Sequence, residues 1–152
     1  MALHFLDTSA LAKRYVPERG SIWIRDLCVR EQIAISEISF TEIASTLARR
    51  QREGRLSAAQ VAVAWIELHR DARDYEIIPL TRRGVVRAGN YLLVNAMTVQ
   101  LRSLDAVQLD AAREAFANVS MPSPGTFVAA DQRLLVAAQS LGMRTADPNA
   151  YP

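Results

Sequence analysis

The chain has 152 residues, of which 50% are hydrophobic and 22% charged, with a net charge of +2. That length suits one domain around one core, and the charge is too sparse and too evenly spread for a disordered chain. The single cysteine, Cys28, excludes an intrachain disulfide, and no apolar run reaches the length that spans a bilayer. The N-terminus lacks a basic stretch and Asp7 interrupts its apolar run early, so no signal peptide is expected. A soluble, cytoplasmic protein of one domain, residues 1–152, is the expectation.

In chain order, Leu3 to Leu6 read as a short buried strand. Leu11 and Tyr15, four apart, share one face of a following helix. Asp7 stands where strand becomes helix. Pro17-Glu18-Arg19-Gly20 reads as a turn, and Ser21 to Arg30 as a helix in which Cys28 is a small core residue. Ile33-Ala34-Ile35 is a second strand. Ser39-Phe40-Thr41-Glu42 has the form of a capping box, with Phe40, Ile43 and Leu47 on the buried face behind it. This helix runs to Gln51 or Arg52, and Gly54 stops it. A second capping box, Ser57 to Gln60, opens a helix with Val61, Trp65 and Leu68 inward, so the two helices form an αα-hairpin.

Glu76 to Leu80 is the third strand, limited by Pro79. Thr81 caps a helix carrying Val85, Val86, Leu92 and Leu93. Ser103 caps the next, whose two apolar faces predict burial on more than one side. Asn118 to Gly125, with Pro122 and Pro124, is a loop. Thr126 to Ala130 is the fourth strand, Asp131 starts a helix closed by Gly142, and Met143-Arg144-Thr145 adds a short last strand. Strands alternating with helices predict a single α/β/α sandwich around a mainly parallel sheet of four to five strands.

Four acids share a context. Asp7, Glu42, Asp105 and Asp131 each lie at or within the first turn of a predicted helix, and Asp7 and Asp131 also follow strands directly. The C-terminal ends of parallel strands lie on one edge, where ligands of open α/β sheets bind. A structural account exists for each acid taken singly: carboxylates cap helix starts and are stabilised there by the macrodipole, and Glu42 would then be only the capping partner of Ser39. As a set, with a lone Cys and only two His residues, they are hard oxygen donors suited to Mg²⁺ or Mn²⁺ rather than Zn²⁺. With these four committed to an ion, 18 basic residues face the remaining 12 acids, and the rest of the protein carries +6. Such a surface attracts a polyanion.

Four segments carry a resemblance that spans nearly the whole chain. Leu6-Asp7-Thr8-Ser9-Ala10-Leu11, Ser39-Phe40-Thr41-Glu42-Ile43, Leu101 to Leu109 around Asp105, and Phe127 to Leu135 around Asp131 resemble, in order and separation, the four motifs of the PIN-domain family, and specifically of its VapC-type toxins. The resemblance implies a Mg²⁺- or Mn²⁺-dependent endoribonuclease in which Asp7, Glu42, Asp105 and Asp131 are catalytic and hold the metal, while water attacks the phosphorus. It implies a supporting or substrate-contacting role for Thr8 and Ser9, an RNA substrate, a homodimer, and a VapB-like antitoxin whose C-terminal tail blocks the acidic pocket. Two departures stand out. Gln108-Leu109-Asp110 replaces a frequent His-Leu-Ala, and Asp110, turned away from Asp105, is expected at the surface or an interface. The loop before the fourth strand, with Met121-Pro122-Ser123-Pro124, is also longer than expected.

All the basic residues but Lys13 are arginines. Lys13, Arg14 and Arg102 are candidate phosphate contacts. Arg49, Arg50, Arg52 and Arg55 read first as a solvated helix end favoured by the dipole. His4 and His69 have no ligand-spaced partner and read as structural. A receiver-type phosphoacceptor would need a second acid beside Asp7, and a haloacid-dehalogenase-like phosphatase an Asp in place of Ser9. The remaining alternative is a PIN-fold module that binds RNA or protein without cutting.

Overall fold

The computed structural model describes residues 1–117 and 125–151. The expected loop over 118–124, with its prolines, lies outside the described residues. Among the described residues, seven α-helices and five strands follow in the order β1 (Leu3–Leu6), α1 (Thr8–Tyr15), α2 (Ser21–Arg30), β2 (Gln32–Ser36), α3 (Ser39–Arg52), α4 (Ala58–Asp71), β3 (Glu76–Ile78), α5 (Arg82–Val94), α6 (Ser103–Ala117), β4 (Thr126–Val128), α7 (Gln132–Ser140) and β5 (Arg144–Ala146), with a short 3-10 helix at Pro148–Ala150. The strands form one sheet in the order β3-β2-β1-β4-β5. Every pairing is parallel, with Phe5 opposite Ala34 on one side and Phe127 on the other.

Alternation along the strands builds two cores. Leu6, Ile33, Ile35 and Val128 face one side and pack with Leu11, Ile24, Ile43, Leu47 and Leu68 of α1 to α4. Leu3, Phe5, Ala34 and Phe127 face the other and pack with Leu109, Ala112, Leu134 and Ala138 of α6 and α7. This is the three-layer sandwich that the period-two and period-3.6 patterns together require. The Phe5 and Phe127 rings stack at 5.8 Å across the strand pair. Helix α6 is buried on more than one side, as its two apolar faces predict.

Several boundaries differ from expectation for local reasons. Strand β3 ends at Ile78, before Pro79, which has no N–H to give the ladder. Strand β4 ends at Val128, and β5 starts one residue later than expected, at Arg144. The capping box of Ser57 and Gln60 forms in full. That of Ser39 and Glu42 does not: Ile38 caps α3 with no side-chain bond, and Ser39 is inside the helix and fully buried. Ser103 is likewise the first helical residue rather than the cap, and Asp105 reaches back to accept from the Arg102 N–H at 3.0 Å. In the turn before α2, Gly20 sits at φ +84°, and a Cβ there would collide with the Pro148 carbonyl. No described helix is long and apolar enough to cross a membrane.

Candidate active site

The sheet order places the site. From β1 the chain moves outward to β2 and β3, then returns to add β4 and β5 on the other flank. The direction of winding therefore reverses between β1 and β4, and a crevice opens outside their C-terminal ends. Asp7 ends β1 and caps α1, accepting from the Ser9 N–H at 2.9 Å. Asp131 follows β4 and caps α7, accepting from the Arg133 N–H at 2.8 Å. Helices α3 and α6 bring Glu42 and Asp105 to the same crevice, a cleft of about 650 Å³ lined by all four acids together with Thr8 and Ser9. The structure thus gathers the four predicted acids at one place.

Each acid is gripped by protein donors. Ser9 Oγ donates to Asp7 Oδ2 at 2.6 Å and accepts from the Ala130 N–H at 2.9 Å, tying the end of β1 to the end of β4. Thr8 Oγ1 donates to Glu42 Oε2 at 2.8 Å. Gln108, 1% exposed on α6, donates from Nε2 to the same Glu42 oxygen at 2.6 Å, and to Thr8 Oγ1 at 2.8 Å and Ser39 Oγ at 3.1 Å. Among the described residues, no donor reaches Asp7 Oδ1, Glu42 Oε1 or Asp105 Oδ1. One oxygen of each of these three acids is fixed and the other is left for something else. As the side chains stand, no three acidic, His or Cys groups among the described residues encircle a single ion position.

Electrostatics separates the acids. Burial pushes the Asp7 carboxyl up to about 6; the Ser9 hydrogen bonds pull it down, and the neighbouring charges of Glu42 and Asp105 push it up further. Asp131 is also partly buried, which raises it. Hydrogen bonds and charge from Arg133, with the backbone N–H groups of Arg133 and Leu134, outweigh that and hold it below the usual range. Asp7 therefore has no cationic side chain bonded to it and lies near two like charges. That is where a positive ion is most stabilising.

The basic residues sort differently from expectation. Arg102 lines the cleft. Lys13 does not: it is 5% exposed, donates to the Arg19 carbonyl at 2.9 Å and pairs with Glu18 at 3.2 Å. Arg14 is bound to Asp71 at 3.1 Å, also away from the cleft. Arg49 and Arg50, read from sequence as a solvated helix end, line the cleft instead. Glu18 is a fifth acid on the lining that the sequence did not single out. Its burial raises its pKa, but Arg50 and Lys13 together pull it below the ordinary range. Asp110 points away from Asp105 as expected, yet it is 7% exposed rather than superficial, gripped by Arg87 of α5 through two bonds of 2.8 and 2.7 Å. Gln108 was visible only as a departure from a motif. Its role depends on contact with residues 66 to 100 positions away, which no local pattern reports.

The chain is thus a three-layer α/β domain with an acidic, polar crevice at the switch point of its parallel sheet. The sequence profile of the family described as PIN domain matches residues 4–137, and the chain belongs to that family. Solved structures share the fold. VapC20 of Mycobacterium tuberculosis, a sarcin–ricin loop cleaving toxin, aligns at 17% identity and a TM-score of 0.66 over 88% of this chain and 94% of its own. VapBC2 of Rickettsia felis, bound to a DNA fragment from its promoter, aligns at 14% identity and 0.62 over 95% and 98%. PAE2754 of Pyrobaculum aerophilum aligns at 17% and 0.64 over 98% and 91%. No curated protein matches the chain in sequence.

Proposed function

We propose that the protein is a Mg²⁺- or Mn²⁺-dependent endoribonuclease and the cytoplasmic toxin of a toxin–antitoxin pair. The observation that carries this reading is the meeting of Asp7, Glu42, Asp105 and Asp131 on one cleft at the switch point, with Asp7 buried and bonded to no cationic side chain. The fold likeness to a sarcin–ricin loop cleaving toxin, to VapBC2 from Rickettsia felis and to a toxin–antitoxin complex from Klebsiella pneumoniae supports it.

The donor set fits a divalent ion in kind. It is all carboxylate oxygen, it crowds like charges, and three of the acids keep an oxygen free. Asp7, Glu42, Asp105 and Asp131 are the residues that would hold it. A bound divalent ion supplies charge to the phosphate and acidity to water. The remaining work falls to the chain. Ser9 and Thr8 fix the Asp7 and Glu42 carboxylates, Gln108 locks the second of these, and Arg102 offers a cation beside the acids for the phosphate. A VapB-like antitoxin and a second copy of the chain are the partners that this reading entails.

The test is cleavage of total cellular RNA by the purified protein with Mg²⁺ or Mn²⁺, beside Asp7→Asn and a chelator control. Discrete fragments that fall at least a hundredfold in both controls are the expected result. An intact RNA pool with the folded, metal-supplied protein would instead favour a binding module built on the same fold.

A further inference from the structure

Helix α3 does more in the cleft than carry Glu42. Glu42, Ser45, Thr46 and Arg49 all line it, at the spacing that puts residues on one helical face. The opposite face holds the fully buried Ile43 and Leu47, so the helix cannot roll and the polar strip is fixed toward the cleft. The strip is graded: a carboxylate at its N-terminal end, hydroxyls in the middle, guanidinium groups at its C-terminal end. From Glu42 to Arg49 it runs about 10 Å. The Arg49 backbone therefore lies about two helical turns beyond Glu42 on the same cleft.

The two arginines at that end are not equivalent. Arg50 is tied to Glu18 at 2.7 Å, and Glu18 is in turn held by Lys13. Arg49 is exposed, and among the described residues its guanidinium has no ion pair or hydrogen bond. Arg102, at the start of α6 beside Asp105, is free in the same sense. Arg52 and Arg55 belong to the same basic run and are not on the cleft. A cleft with five acids repels a polyanion, and these two unpaired arginines on its lining offset that repulsion.

We infer that the cleft face of α3, from Ser45 and Thr46 to Arg49, seats the RNA backbone flanking the phosphate at the acids, with Arg102 holding that phosphate itself. This rests on the ribonuclease reading and adds to it the place and the manner of strand binding. Guanidinium and hydroxyl groups on a helix face contact phosphate and sugar, which positions a strand without reading its bases. The two hydroxyls also suit the ribose 2′-OH, a donor and acceptor that DNA lacks.

The test is fluorescence anisotropy of a labelled single-stranded RNA with the full chain, in chelator so that nothing is cut, across a salt series. Wild type, Arg49→Ala, Arg49→Lys and Arg52→Ala are compared, with cleavage assayed on the same preparations in Mn²⁺. Arg49→Ala should weaken binding several-fold on RNAs of different sequence and reduce the slope of log affinity against log salt by about 0.7, the share of one single-strand phosphate contact. Arg49→Lys should restore most of that slope, and Arg52→Ala should leave affinity and slope unchanged. If wild type cuts RNA but Arg49→Ala keeps the full slope, or Arg52→Ala loses as much, the inference fails and the ribonuclease reading stands. If wild type neither binds nor cuts, both fall. If Arg49→Ala disturbs only binding of an antitoxin and not of RNA, the strip is a protein interface and the inference is overturned.

Discussion

Two carboxylates in this molecule are equally hidden and are treated in opposite ways. Asp110, 7% exposed between α5 and α6, is held by both arms of the Arg87 guanidinium, which also pairs with Glu114 at 2.8 Å. Asp7, 5% exposed at the end of β1, has only the hydroxyl and N–H of Ser9. Desolvating a charge is costly unless a partner compensates. Asp110 has its partner inside the fold and serves the packing of α5 on α6. Asp7 is left under-compensated beside two more acids, as the proposed ion site would require. Burial of an acid thus says little by itself; what distinguishes structure from function is whether the countercharge belongs to the protein.

Removing the countercharge is the strongest way to break this contrast. Arg87→Met leaves Asp110 buried and unpaired, and should cost about 2–3 kcal/mol, at the lower end for a buried pair because Arg87 is partly exposed to solvent. Urea denaturation measures this, and adding Asp110→Leu should recover most of the loss. RNA cleavage by whatever remains folded should be unchanged, since neither residue lines the acidic cleft. A large fall in cleavage at full folding would erase the distinction between the two sites.

A smaller effect is expected at the amide that grips Glu42. Gln108→Leu removes donors to Glu42, Thr8 and Ser39 at once and should destabilise by about 1–2 kcal/mol. Mn²⁺ binding, followed by electron paramagnetic resonance, should weaken at the same time because Glu42 is released to rotate. Loss of stability with unchanged Mn²⁺ affinity would make Gln108 a packing residue only.

The third change has the opposite sign. The unfolded Asp7 carboxyl titrates near 3.8 and the folded one near 6. Between those values the native state binds a proton that the unfolded chain has released, so stability falls as pH rises from about 4 to 6 and stays reduced above. Asp7→Asn removes that dependence. It should be more stable than wild type at pH 7.5 and no more stable at pH 4, in thermal melts with chelator present. Mg²⁺ should close the gap by raising wild type alone. A variant less stable than wild type at pH 7.5 would mean that Asp7 is compensated after all.

Much of this was legible from residues in order. The four acids, the strand and helix positions and the parallel sandwich follow from short-range patterns, because periodicity and capping act within a few residues. Where two local explanations competed, the sequence was silent. Ser39 and Glu42 have the spacing of a capping box, yet the helix starts at Ser39 and its hydroxyl faces Gln108 across the core. Arg49 and Arg52 look alike in the chain, and only the packing of Ile43 and Leu47 decides which one faces the cleft.

By itself, then, the sequence determined the class of fold and which acids stand at the starts of its helices, since both depend on residue type and local period. The tertiary structure decided which charges are free. Lys13 and Arg14 were consumed by Glu18 and Asp71, Asp110 by Arg87, and Arg49 and Arg102 were left open at the cleft. A charge is satisfied or spare according to its neighbours in space, and those neighbours come from elements far apart in the chain.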